Sequence, residues 1–238
     1  MITTYNGELA IYAPDPGFVA NVLARSDPQT IIYGHYGFGV HLLLDDDRPR
    51  YITFLRDPTR RILSFFAHQA REPRSRLYPA ISKGLTLKAA ISGHLAPELN
   101  NYVTRILIAG IGLVQALRPN PSALRLAAGS WNGLGHGPTG PYDQILHRAH
   151  YQTALEHLDR YFAFVGIAER MPESLARLAR IMDWNAPNQA DIVLNAAPES
   201  HPPIDGETQE LIQKYNALDI DLYAHCMTNW LPTSQLIP

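Results

Sequence analysis

Cysteine is nearly absent from this chain: Cys226 is the only one in 238 residues. An internal disulfide framework is therefore excluded, and the usage suits a reducing compartment. A strong charge imbalance is missing too. The formal net charge of -2 argues against a general polyanion-binding surface while leaving room for a local basic cleft. No basic start followed by an apolar run opens "MITTYNGELA", so no secretory signal is legible. The longest apolar stretch, Ile106 to Leu117, is broken by two glycines and falls well short of the roughly 20 residues a membrane span needs. It reads as a buried helix. Repeats, low-complexity tracts and a dividing linker are also lacking. The expectation is one domain over residues 1–238, soluble and cytoplasmic, with no transmembrane segment. At 46% hydrophobic, the chain carries enough apolar material for a sizeable core.

What is present is a set of short β-forming runs separated by helical patterns. Ile31–Tyr33, Tyr51–Leu55 and Phe162–Ile167 are rich in β-branched and aromatic residues and read as buried strands. Pro58–Gln69 reads as a helix, with Asp57 as N-cap and Pro58 at its first position. Pro172–Trp184 places Leu175, Leu178, Ala179 and Met182 on one helical face. Glu207–Cys226 repeats that pattern as a single helix, and Tyr142–Arg160 is helical as well. Strands separated by helices predict an α/β fold, a parallel sheet flanked by helices in three layers. The stretch "GSWNGLGHGPTGP" (Gly129–Pro141) is a loop. No strand closely precedes it and its prolines remove backbone donors, so it is a poor phosphate cradle.

The chemistry-bearing candidate is "YITFLRDPTRRILSFF" (Tyr51–Phe66). In open α/β sheets, ligands gather at the carboxyl ends of strands, near helix N-termini. Arg56 stands at such an end, and Ser64 lies two turns into the next helix. A planar guanidinium fork and a hydroxyl suit a phosphate monoester. On spacing alone a second reading stands beside it: Arg56 pairs with Asp57 or a helix C-terminus, and Ser64 is a filler.

"TFLRDPTRRILSFF" resembles the 3′-phosphate motif of sulfotransferases that use 3′-phosphoadenosine 5′-phosphosulfate (PAPS). The branch it is most similar to holds the heparan and chondroitin 2-O-sulfotransferases and their bacterial relatives. "GHYGFG" (Gly34–Gly39) is similar to the family's His-x-x-Phe segment, and "NNYVTRILIAG" (Asn100–Gly110) to its Asn-x-x-Thr-Arg helix. "FAFVGIAERMPESLARLARIMDW" and "YNALDIDLYAHC" resemble its closing strand–helix and final helix. The resemblance spans roughly Ile31 to Cys226. It implies a P-loop kinase-like sulfotransferase fold, PAPS as co-substrate, no metal, and a carbohydrate or other hydroxyl-bearing acceptor. Arg56 and Ser64 would bind the 3′-phosphate. His35 would take the acceptor's proton, a task that suits a histidine.

The family's Pro-Lys-Ser/Thr-Gly-Thr type loop, which holds the 5′-phosphosulfate, has no counterpart here. Met1–Gly34 contains neither lysine nor a glycine-rich strand-to-helix turn, and "APDPGFVAN" carries the acidic Asp15. The chain reads as N-terminally incomplete relative to that pattern, with weakened or absent turnover. The alternative is a non-catalytic, degenerate member binding an adenosine 3′-phosphate nucleotide or an anionic glycan. An unrelated α/β nucleotide-binding protein is a third reading. Arg60, Arg61, Arg71, Arg74 and Arg76 form a cationic stretch that an anionic glycan would favour; a solvated arginine-rich loop explains it equally. Arg105 is a site residue or, preferably, a helix-to-loop anchor. Among His147, His150 and His157 only the first two are spaced to chelate, and no further ligands accompany them, so no metal is expected. Trp131, Trp184 and Trp230 make no stacking ladder of the kind that binds nucleic acid, and none is expected as a partner.

Overall fold

A computed structural model of the chain describes residues 2–5, 8–12, 31–33, 38, 50–108, 146–185 and 203–229. In chain order come β1 (Ile2–Tyr5), β2 (Glu8–Tyr12), β3 (Ile31–Tyr33), β4 (Tyr51–Leu55), α1 (Pro58–Arg71), α2 (Tyr78–Ile81), α3 (Leu87–Ser92) and α4 (Tyr102–Ile108). Then follow α5 (Arg148–Tyr161), β5 (Phe162–Ile167), α6 (Met171–Met182), α7 (Gly206–Tyr215) and α8 (Ala217–Asn229), with 3-10 turns at Pro97–Leu99 and Ala168–Arg170. The fold is mixed α/β and mostly helical. No helix among the described residues is long and apolar enough to cross a membrane.

The three expected strands form where the sequence places them, but in two sheets. β3 pairs in parallel with β2, which pairs antiparallel with β1; β4 and β5 make a separate parallel pair. Among the described residues, then, β3 does not join β4 in one layer. β5 is almost wholly buried, as parallel strands covered on both faces are. Val165, Ile167 and Leu55 meet Leu107 of α4, Ala154 and Leu158 of α5, and Leu222 and Cys226 of α8 in one cluster. A second cluster joins Ile62 of α1 to Leu77, Ile91, Leu99 and Ile212.

The helix starts follow the capping chemistry in the sequence. The Asp57 carboxylate accepts from Arg60 N–H at 2.8 Å, and Pro58 fills the first position, where no donor is lost. Thr86 and Asp205 cap α3 and α7 in the same way. The single helix expected over Glu207–Cys226 is instead two, α7 and α8, broken at Asn216. The Asn216 side chain donates to Ile212 O at 3.1 Å and across to Leu99 O at 3.0 Å. Side-chain amides that bond nearby backbone compete with helix continuation in this way.

Gly166 faces Phe54 in the β4–β5 register. A Cβ there would come within 2.4 Å of Phe54 Cδ1, so the ring occupies the space a side chain would need. Gly166→Ala is expected to destabilise the protein by roughly 1–3 kcal/mol through overpacking. Combining it with Phe54→Leu should cost less than the sum of the single changes in denaturant unfolding. A second expectation concerns Cys226, which is fully buried. Burial pushes its thiol from 9.0 up to about 12. Its stabilising contribution is therefore present below pH 9 and lost as pH rises from about 9 toward 12. Iodoacetamide at pH 8 should leave the native thiol intact and label it in denaturant.

Candidate functional site

Leu55 and Ile167 end their strands in register, so Arg56–Asp57 and Ala168–Glu169 leave the β4–β5 pair side by side. Arg56 is half-buried. Among the described residues no carboxylate lies within ion-pair distance of its guanidinium and no hydrogen bond claims it. Asp57 does not pair with it, because its carboxylate caps α1. The first turn of α1 has little left to offer an anion. Pro58 has no N–H, while Arg60 and Arg61 donate theirs to Asp57, which leaves Thr59. An anion held here must therefore rest on side chains. Ser64, half-buried on α1, makes no hydrogen bond among the described residues, although a helical serine can bond back to its own turn. It lies about 10 Å along the helix axis from Asp57, at 1.5 Å per residue. Arg60 is exposed beside this turn.

Across the turn sits Glu169. Its Oε1 accepts from the Asp57 backbone N–H at 3.1 Å, and its Oε2 accepts from the Tyr223 hydroxyl at 2.9 Å. Burial first, and then the bond to Glu169, hold the Tyr223 phenol well above its ordinary acidity range.

Arg61 points elsewhere. Its side chain is only 16% exposed and Asp219 beside it 1%. The guanidinium donates to Glu98 O at 2.6 Å, and reaches Asn216 Oδ1 and Asp219 Oδ2 at 3.4 Å each. Burial lowers the Arg61 pKa, and Asp219 opposes that shift. This arginine is thus an internal strut, whereas the sequence allowed it either a substrate-facing or a solvated place. Asp219 accepts from Val103 N–H and Thr104 N–H at 3.0 and 2.8 Å, and from the Thr104 hydroxyl at 2.8 Å. It caps α4 from across the chain. Asn101 Oδ1 returns the favour to α8, accepting from Leu218 and Asp219 N–H at 3.0 and 3.1 Å. Asn101 adopts φ +44°, a left-handed conformation that asparagine tolerates. Arg105 Nε donates to Asn100 O at 2.8 Å, the contact of a helix-to-loop anchor.

The remaining candidates separate. Arg71 and Arg74 are exposed, while Arg76 pairs with Glu98 at 3.0 Å. His150 Nδ1 accepts from His147 N–H at 2.8 Å. His157 Nδ1–H donates to Leu107 O at 2.6 Å, and its ring stacks on Phe38 at 4.2 Å. Among the described residues no three His, Cys, Asp or Glu side chains converge as metal ligands. His35, Trp131, Trp230 and Gly129–Pro141 lie outside the described residues. Phe38, the phenylalanine of the "GHYGFG" segment, is buried against Tyr51 and Phe162, at the ends of β4 and β5 opposite Arg56. Sequence reasoning missed Glu169, Tyr223, Asn216 and Asp219. The only available signal was their place just after a strand or in a helix's first turns.

Comparison with protein families, with curated proteins and with solved structures finds no match to this chain.

Removing Asp219 strands a buried guanidinium. Asp219→Ala is expected to cost about 3–5 kcal/mol in urea unfolding. An additional Arg61→Met change should recover part of that loss.

Proposed function

We propose that the chain is a PAPS-dependent sulfotransferase of the carbohydrate 2-O-sulfotransferase type, built on a P-loop kinase-like α/β fold. One observation carries the reading: a half-buried guanidinium at the carboxyl end of a parallel strand, followed by an Asp-Pro helix start and a serine two turns on, neither side chain having a partner among the described residues. In this reading Arg56 and Ser64 hold the 3′-phosphate, Arg56 through charge-assisted bonds and Ser64 through its hydroxyl. His35 takes the proton of an acceptor hydroxyl. That oxygen attacks sulfur in line, a new S–O bond forms, and the S–O bond to the phosphate breaks. Adenosine 3′,5′-bisphosphate leaves with the electron pair.

A second reading is a non-catalytic binder of an adenosine 3′-phosphate nucleotide or anionic glycan. It needs only Arg56 and Ser64, neither of which touches the transferred group. Transfer from radiolabelled PAPS to a carbohydrate acceptor separates the two, since the binder gives none. The sulfotransferase reading and the nucleotide form of the binder both require adenosine 3′,5′-bisphosphate to bind in calorimetry. Arg56→Ala should weaken that binding at least about tenfold, as expected for a charged hydrogen bond of roughly 1.5–3 kcal/mol. Ser64→Ala should weaken it less. If ATP binds as well as the bisphosphate and Arg56→Ala changes nothing, the sulfotransferase reading and the nucleotide form of the binder both fall.

A further inference from the structure

Three elements meet at the carboxylate of Glu169. It stands in the 3-10 turn that follows β5, takes the Asp57 N–H with one oxygen, and is held by the Tyr223 hydroxyl of α8 with the other. Asp57 directly follows Arg56. The bond therefore reaches the backbone at the root of the one guanidinium that the site reading assigns to a phosphate. A carboxylate is a costly choice beside an anion site, because like charges repel. A neutral acceptor could fill a purely architectural role without that repulsion. A carboxylate here, bonded at both oxygens, suits a task that needs a strong and rigid acceptor. Charge-assisted bonds from backbone N–H groups are such contacts. An arginine has a long, mobile stem, and what a scaffold can fix is the peptide from which it springs. The β4-to-α1 turn has no other side-chain tether from β5 among the described bonds: Asp57 bonds only its own helix through its carboxylate.

We infer that Glu169, steadied by Tyr223, is a positioning residue that sets the peptide carrying Arg56 and so the direction in which Arg56 meets a bound phosphate. The inference rests on the phosphate-binding reading of Arg56. Glu169 touches no ligand in this scheme; it acts through Arg56.

The test is calorimetry of adenosine 3′,5′-bisphosphate with the full chain. Glu169→Ala is expected to weaken binding about tenfold, the scale on which small misplacements act. Glu169→Gln keeps a neutral and so weaker acceptor for the Asp57 N–H and should recover only part of that loss. Tyr223→Phe should fall between them. Ile212→Ala, a core change remote from this turn, should lower thermal stability while leaving affinity alone, which separates positioning from general loosening. Amide exchange at Asp57 reads the tether directly and should quicken in Glu169→Ala even where affinity is too weak to measure. Unchanged affinity in Glu169→Ala, with Arg56→Ala still impaired, overturns the positioning role and leaves the phosphate reading standing. No binding by the unaltered protein, or no effect of Arg56→Ala, overturns both.

Discussion

One carboxylate, that of Asp219, determines how the helical part of this protein closes. It is nearly inaccessible to solvent and accepts three hydrogen bonds at the start of α4 while facing the Arg61 guanidinium. Negative charge at a helix N-terminus is stabilised by the free N–H groups and the helix dipole. Here that charge comes from a residue more than a hundred positions away in the chain. Asn101 completes the exchange by capping α8, the helix that carries Asp219. Two helices thus cap each other, and neither start is satisfied without the other. Glu98 O and Asn216 Oδ1 take part of the remaining polar demand of Arg61, whose buried Nε has no hydrogen-bond partner among the described residues. The desolvation of this ion pair is therefore offset only in part.

This arrangement draws one member of a cluster of cations in the sequence into the interior. Of the arginines between Tyr51 and Lys83, Arg61 is committed to the interior hub and Arg76 to Glu98. Arg56 has no partner among the described residues at the strand tip, while Arg60, Arg71 and Arg74 are exposed. Two neighbouring arginines on one helix, Arg60 and Arg61, so have opposite fates. The helical rotation of about 100° between them turns one outward and the other toward α8.

The local elements were the most legible. β3, β4 and β5 and the start of α1 follow from β-branched runs and from Asp-Pro, because those signals act over a few residues. β1 and β2 were missed despite Asn6-Gly7 between them, a hairpin signature. Their strands alternate too little to stand out. The break at Asn216 was hidden because the apolar spacing continues through it, and only the contact with Leu99 makes the interruption worthwhile. Arg56 and Ser64 could be singled out from spacing. The roles of Glu169, Tyr223 and Asp219 could not, since each depends on a partner dozens of residues away or more, and a single sequence carries no record of such pairs.

The wide separation between the two halves of the hub also bears on synthesis. A chain emerging from the ribosome makes α1 and α4 long before Asn216 and Asp219 exist. Until then Arg61 lacks its counter-charge and the start of α4 lacks its acceptor. The nascent chain must carry an uncompensated cation and bare amides beside exposed apolar surface, a state open to misassembly. Folding of this region is thereby deferred until α8 has been made and can close it.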